Sequence, residues 1–399
     1  MKVLLNVDAI TPELTGIGNY TWHLLANLVR SVEVENLLIN ANHRIQDGNA
    51  FWNKLNSKDD STTASSGIIQ LKNSGIIRLK NFLRKSYIAY AARDIIRNYF
   101  FRRQIHALAN GYIYHEPNFI LKPYAGVSVT TFHDLSCIHY PQYHPATRVK
   151  WFNNGLSRTL AQAQHILTDS EYVKTEIITT LGVPSDKVTA IALGVDARFR
   201  PYPQQDVEQT LSQYNLGYGQ YILAVATLEP RKNLHGLVEA FTQLPVKLQN
   251  QYPLVLVGGL GWHSEALLAK LQNLESKGLV RRLGYISREH LPQIYAGARM
   301  FAFPSFYEGF GLPPLEAMAS GVPVLTSANS AMAEVVADAG ILVEPHDTDH
   351  MAKQLQRLLM DDALCLRLSE QGMARAKRYS WQACAEQTLQ VYQSILEKN

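Results

Sequence analysis

The chain has 399 residues, 46% of them hydrophobic and 18% charged, with a formal net charge of +4. It is too long for one ordinary core and too apolar for a disordered chain, so two folded domains are predicted, and no apolar run is long enough to span a bilayer. Cys137, Cys365 and Cys384 are odd in number and lack CxxC spacing, which suggests neither a disulfide framework nor a cysteine zinc site and predicts a reducing cytoplasm.

The chain opens on a buried strand, Val3 to Val7, rather than a secretory signal. A glycine loop, Gly16-Ile17-Gly18, and a helix from Tyr20 to Val29 follow. The position for the third glycine of GxGxxG holds Thr21, which argues against a dehydrogenase. Residues 45 to 75 are polar with little periodicity and read as a mobile excursion. Between Lys72 and Arg103, nine cations face Asp94 alone, interleaved with apolar and aromatic residues. Such a segment suits an anionic membrane surface, and equally a helix, Tyr87 to Ala109, packing its apolar side into its own domain. Nucleic acid is a poorer partner, because no reading motif accompanies the charge.

Val127 to Phe132 and His165 to Thr168 read as further strands. At the end of the first stand His133 and Asp134, where an imidazole can offer a neutral donor or acceptor to a sugar hydroxyl near pH 7 and the aspartate can orient it or cap the next turn. Prolines and polar residues break the apolar pattern between Gly194 and Gly219, which divides the chain into domains 1–200 and 201–380.

The second half repeats strand, loop and helix: Tyr221 to Ala226 then Leu234 to Gln243, Leu254 to Val257 then Glu265 to Leu274, Val280 to Tyr285 then Glu289 to Ala296, and Met300 to Phe303 before another helix. That alternation predicts a doubly wound parallel sheet whose ligands bind beyond the strands' carboxyl ends. Arg231 and Lys232 lie in one such loop and Glu308 in another. Gly309 and Gly311 let the backbone around Phe310 approach a ligand closely, and Pro313 and Pro314 begin a helix carrying Glu316. A turn of unpaired N–H groups at a helix start attracts phosphate, and two carboxylates accept hydrogen bonds from sugar or ribose hydroxyls. An activated sugar carrying a diphosphate meets both demands. His346-Asp347-Thr348-Asp349-His350 contains metal-like spacing, but its place before an apolar helical run makes Asp347 or Thr348 a helix cap. No metal or other cofactor is predicted.

Phe303-Pro304-Ser305-Phe306-Tyr307-Glu308-Gly309-Phe310-Gly311-Leu312-Pro313-Pro314-Leu315-Glu316, with Gly16-Ile17-Gly18, Phe132-His133-Asp134, Thr168-Asp169-Ser170, Gly194-Val195-Asp196 and Glu229-Pro230-Arg231-Lys232-Asn233, resembles retaining glycosyltransferase family 4 in the family's order. The resemblance implies an α/β GT-B fold, two Rossmann-like domains facing a cleft, with a last helix (381–399) crossing back to the first. It implies a nucleotide-sugar donor held by Gly16, Gly18, Thr227, Arg231, Lys232, Ile286, Glu308, Gly309, Phe310, Gly311, Leu312 and Glu316, with His133, Glu308 and Lys232 at the reacting sugar. One departure is Ala226-Thr227 where many relatives have Gly-Arg, which shifts weight onto Arg231 and Lys232. Glu308 is the obvious nucleophile by position, whereas the resemblance puts it on the sugar's hydroxyls, Glu316 on the ribose and the acceptor's proton on the leaving diphosphate. Mannosyl transfer from GDP-mannose to a lipid-linked or oligosaccharide acceptor in O-antigen assembly is the leading expectation, in the cytoplasm, either free or peripheral at the cytoplasmic face of the membrane. Rhamnosyl transfer from GDP- or dTDP-rhamnose, a nonhydrolysing sugar-nucleotide epimerase and a noncatalytic sugar-nucleotide-binding protein are the alternatives.

Overall fold

A computed structural model describes residues 1–42, 44–57, 99, 101–105 and 111–398. Most of the basic Lys72–Arg103 segment therefore lies outside the described residues, as does most of the helix expected from Tyr87 to Ala109. Within that segment Phe101 is fully buried, 5.3 Å from the Tyr114 ring and with Lys122 Nζ 5.4 Å above it, so this aromatic serves the core.

Seven strands form the first sheet: β1 (Lys2–Asn6), β2 (Asn36–Ala41), β3 (Arg44–Asp47), β4 (Tyr112–Glu116), β5 (Ser128–Phe132), β6 (His165–Thr168) and β7 (Val188–Ala190). Their order is β3-β2-β1-β4-β5-β6-β7, parallel except for the β2–β3 pair. Part of the stretch expected to be a mobile excursion is thus ordered. Ile45 and its neighbours add an edge strand, and Asp47 caps the helix Gly48–Asn56 by accepting from Ala50 N–H at 2.8 Å. Four residues of strand and a nine-residue helix are too short to stand out from a polar background by periodicity.

The second sheet runs β10-β9-β8-β11-β12-β13 and is wholly parallel, from β8 (Ile222–Val225), β9 (Leu254–Val257), β10 (Val280–Gly284), β11 (Met300–Phe303), β12 (Val324–Ser327) and β13 (Ile341–Val343). Leu254-Val255-Leu256-Val257 is apolar at every position because helices cover both faces. The chain winds outward from β8 through β9 to β10, then returns to β11 on its other side. The loops after β8 and β11 consequently diverge over one crevice, the place where open parallel sheets bind ligands.

The last helix, Trp381–Lys398, packs on the first, Gly16–Arg30, where Cys384, Leu389 and Tyr392 join Leu24 and Leu25 in one buried cluster. His115 on β4 hydrogen-bonds to the Tyr392 hydroxyl at 2.5 Å, and Trp381 stacks on His23 with centroids 4.5 Å apart. The connecting segment passes so closely that a Cβ on Gly194 would lie 2.0 Å from Trp381 N. No helix among the described residues is long and apolar enough to cross a membrane.

Candidate active site

After β8 the chain makes a tight turn, Pro230–Lys232, and Asn233 follows in the left-handed region (φ 52°). An asparagine adopts that conformation at low cost, and its side chain accepts from Gly236 N–H to start the helix Leu234–Thr242. Phe306 N–H and the Ser305 hydroxyl both donate to Arg231 O, so the β8 and β11 loops are tied together.

Glu308 sits at this junction. Its Oε1 accepts from Lys232 Nζ at 2.6 Å and from the Ser305 hydroxyl at 2.6 Å, and its Oε2 accepts from Arg231 Nη1 at 3.0 Å. Burial favours the protonated acid, but the Arg231 and Lys232 cations outweigh it and hold the carboxyl below its usual range. Arg231 also donates to Glu229 at 3.0 Å and to Tyr307 O at 2.6 Å. Burial opposes its charge, and Glu308, Asp134 and Glu229 overcome that and raise its pKa. Both cations expected to face a diphosphate are therefore partnered by Glu308, and an incoming anion must share them.

Gly311, at φ 109°, turns the chain into the helix Leu312–Ala319. Pro313 and Pro314 have no N–H, so the donors at this helix start are those of Leu312 and the preceding turn. The turn lies hard against the first domain: a Cβ on Gly309 would meet His133 O at 1.6 Å, and Gly309 O accepts from the Ser170 hydroxyl at 2.8 Å. One turn into the helix, burial pushes the partly buried Glu316 up to about 8.

Across the cleft, His133 does not present a free ring nitrogen. Nδ1 is 2.7 Å from Asp169 Oδ2 and Nε2 is 2.8 Å from Pro117 O, both acceptors, so the ring is held as an imidazolium. Burial disfavours that charge, yet Asp169 prevails and raises its pKa. The expected neutral donor or acceptor for a sugar hydroxyl is replaced by a fixed ring whose backbone carbonyl touches the donor turn. Asp134 does not orient it. Oδ1 accepts from Ser136 N–H at 2.9 Å and the Ser136 hydroxyl at 2.6 Å, which caps the next turn. The glycine loop is also different from its expected form, since Gly16 and Gly18 already belong to the first helical turn. Gly16 lines the cleft, while Gly18 is buried beneath Ala9 and Leu14.

The cleft between the domains has a volume of about 1990 Å³, open to solvent. Gly16, His133, Thr227, Arg231, Lys232, Ile286, Glu308, Gly309, Phe310, Gly311, Leu312 and Glu316 all line it. Asp169, Ser305 and Glu229 complete the network; they stand in the quoted sequence motifs but carried no expected role there. For Asp169 a signal existed, because β5 and β6 pair Phe132 with Thr168 and so place the next residues, His133 and Asp169, side by side. Asp347 accepts from His350 N–H at 2.8 Å and caps the helix Thr348–Met360.

Residues 14–199 match the family model Glycosyltransferase Family 4, and residues 212–375 match that of glycosyl transferases group 1. Over 400 residues the chain is 36% identical to the O-antigen chain mannosyltransferase B of Escherichia coli, covering 99% of this chain and 100% of that protein. The chain belongs to the group 1 and family 4 glycosyltransferases. This glycosyltransferase shares its backbone arrangement with the sucrose-phosphate synthase of Thermosynechococcus elongatus, at a TM-score of 0.69, 21% identity and 100% of each chain. Anabaena HepE, crystallised with UDP and glucose, superposes with a TM-score of 0.65 at 18% identity, over 99% of this chain and 100% of that one. The glycosyltransferase accordingly has the GT-B fold.

Proposed function

We propose that this glycosyltransferase moves a mannosyl residue from GDP-mannose to a hydroxyl of a growing glycan in bacterial surface-polysaccharide assembly, with the anomeric configuration kept. The meeting of the Lys232 and Glu308 loops at a helix start is the observation that carries the chemistry. The full-length likeness to an O-antigen mannosyltransferase supports the choice of sugar.

In this reading the diphosphate lies against the N–H groups of Phe310, Gly311 and Leu312, with Lys232 and Arg231 shared between it and Glu308. Thr227 and Gly16 border the same anion, Ile286 the base, and Glu316 the ribose. Glu308 orients the sugar's hydroxyls rather than attacking C1. Three donors occupy its oxygens and two cations hold its charge, which makes it a poor nucleophile. The bond from C1 to the diphosphate oxygen breaks while the acceptor oxygen bonds C1 on the same face. The acceptor's proton passes to the departing diphosphate, whose developing charge the cations and N–H groups stabilise without a metal.

A thermal-shift screen against GDP-, UDP- and dTDP-sugars, followed by NMR of the product's anomeric centre, tests this. GDP-mannose should raise the midpoint most and yield an α-linked product. A larger shift and faster turnover with a UDP- or dTDP-sugar, or an inverted anomer, would contradict it.

A further inference from the structure

A second cavity of about 950 Å³, open to solvent, lies behind the Pro230–Lys232 turn, and Glu229 lines both it and the donor cleft. One wall is an aromatic ladder. The Phe306 ring stacks on Tyr143 from the first domain, with centroids 5.5 Å apart, and on the exposed His346, at 4.6 Å. The rest of the wall carries His235, Glu239 and His263, all exposed. None of the described lining residues is a lysine or arginine.

That chemistry selects among ligands. A phosphate or nucleotide would find no lysine or arginine among the described lining residues to hold it, and Glu229 and Glu239 are already partnered by Arg231 and Lys270. Phe306 stacks on two rings and Tyr143 also stacks on Tyr140, at 5.9 Å, so the exposed His346 ring is the open end of the ladder, where a pyranose can lay its apolar face of C–H groups and turn its edge of hydroxyls to the imidazole and carboxylate groups. Position adds to this. Tyr143 O accepts from Trp262 Nε1 at 2.5 Å, and Trp262 lines the donor cleft, so a chain leaving the cleft over Trp262 arrives at the ladder.

We propose that this cavity binds neutral hexose units of the acceptor glycan, remote from its reacting end. The inference rests on the glycan-acceptor reading above and adds a second, extended contact to it. The enzyme thereby holds a long acceptor more tightly than a short one.

Binding of α-linked mannotetraose to the full chain, followed by saturation-transfer NMR and calorimetry, tests the site in two variants. Ala266→Trp fills the cavity from an exposed helical position, and His346→Ala removes the end of the ladder. Both should weaken tetraose binding at least about fivefold and raise KM for long acceptors, while leaving GDP affinity and KM for a one-sugar acceptor unchanged. Agreement between the two variants separates loss of contact from misfolding, and an unchanged GDP-induced thermal shift confirms the fold. Wild-type tetraose binding in both variants, or equal weakening of short and long acceptors, would overturn the proposal. Failure of every nucleotide to bind wild type would instead strike the donor reading, while tetraose binding still reports on the cavity.

Discussion

Lys232 Nζ stands 2.6 Å from Glu308 Oε1, so the cation assigned to the leaving group and the carboxylate assigned to the sugar are partners before any donor arrives. Removing the cation deprives the transition state of part of the positive charge that meets the leaving diphosphate. Lys232→Ala should lower kcat by about 10²- to 10³-fold, the typical cost of losing one preorganised donor. Steady-state kinetics with saturating donor checks this, and kinetics equal to wild type would refute the assignment.

Gly309 sets how closely the donor turn approaches the first domain, since a Cβ there would sit 1.6 Å from His133 O. In Gly309→Ala the turn must withdraw. A misplacement of about 1 Å typically costs about 10²-fold in rate. Activity should fall by that order while the circular dichroism spectrum stays native, and an alanine variant of undiminished activity would show that the turn does not close on His133 in the working enzyme.

How much of this was legible beforehand follows from residue spacing. β9 and β11 read as strands because Leu254–Val257 and Met300–Phe303 are apolar at every position between clear loops. The convergence of Lys232 and Glu308 followed from their places after strands. The Gly16 turn was read as a loop because glycine signals breaks, whereas here Thr15 precedes a helix that tolerates two glycines. Which partners His133 would take could not be read from spacing alone: Asp169 follows only once β5 and β6 are known to be neighbours, and nothing pointed to Pro117 O. Pro117 and Asp169 lie 16 and 36 residues away, and only the sheet order brings them together.

The Tyr307 hydroxyl bridges the domains, accepting from the Leu135 N–H at 3.0 Å and donating to Glu176 Oε2. Tyr307→Phe leaves that buried N–H without a partner, which should cost about 1–3 kcal/mol. Thermal unfolding checks it. A midpoint unchanged from wild type would mean that the closed contact contributes nothing to stability.

Glu316 makes stability depend on pH. Its pKa is near 8 when folded against an ordinary 4.5, so between those values the unfolded chain has already lost the proton that the folded one keeps. The contribution of Glu316 should therefore be full below about pH 4.5, fall as pH rises through 8 and then level. Glu316→Gln cannot ionise and should lack that decline, so its midpoint gains on wild type up to about pH 8. Parallel curves from pH 5 to 8 would contradict the perturbed carboxyl.

The most direct test of the whole account is a crystal structure of the complex with GDP-mannose. The pyrophosphate should lie within hydrogen-bond reach of the Phe310, Gly311 and Leu312 N–H groups and of Lys232, with the ribose on Glu316 and the sugar hydroxyls on Glu308. Density for the pyrophosphate away from that helix start, remote from Lys232 and both glutamates, would contradict it.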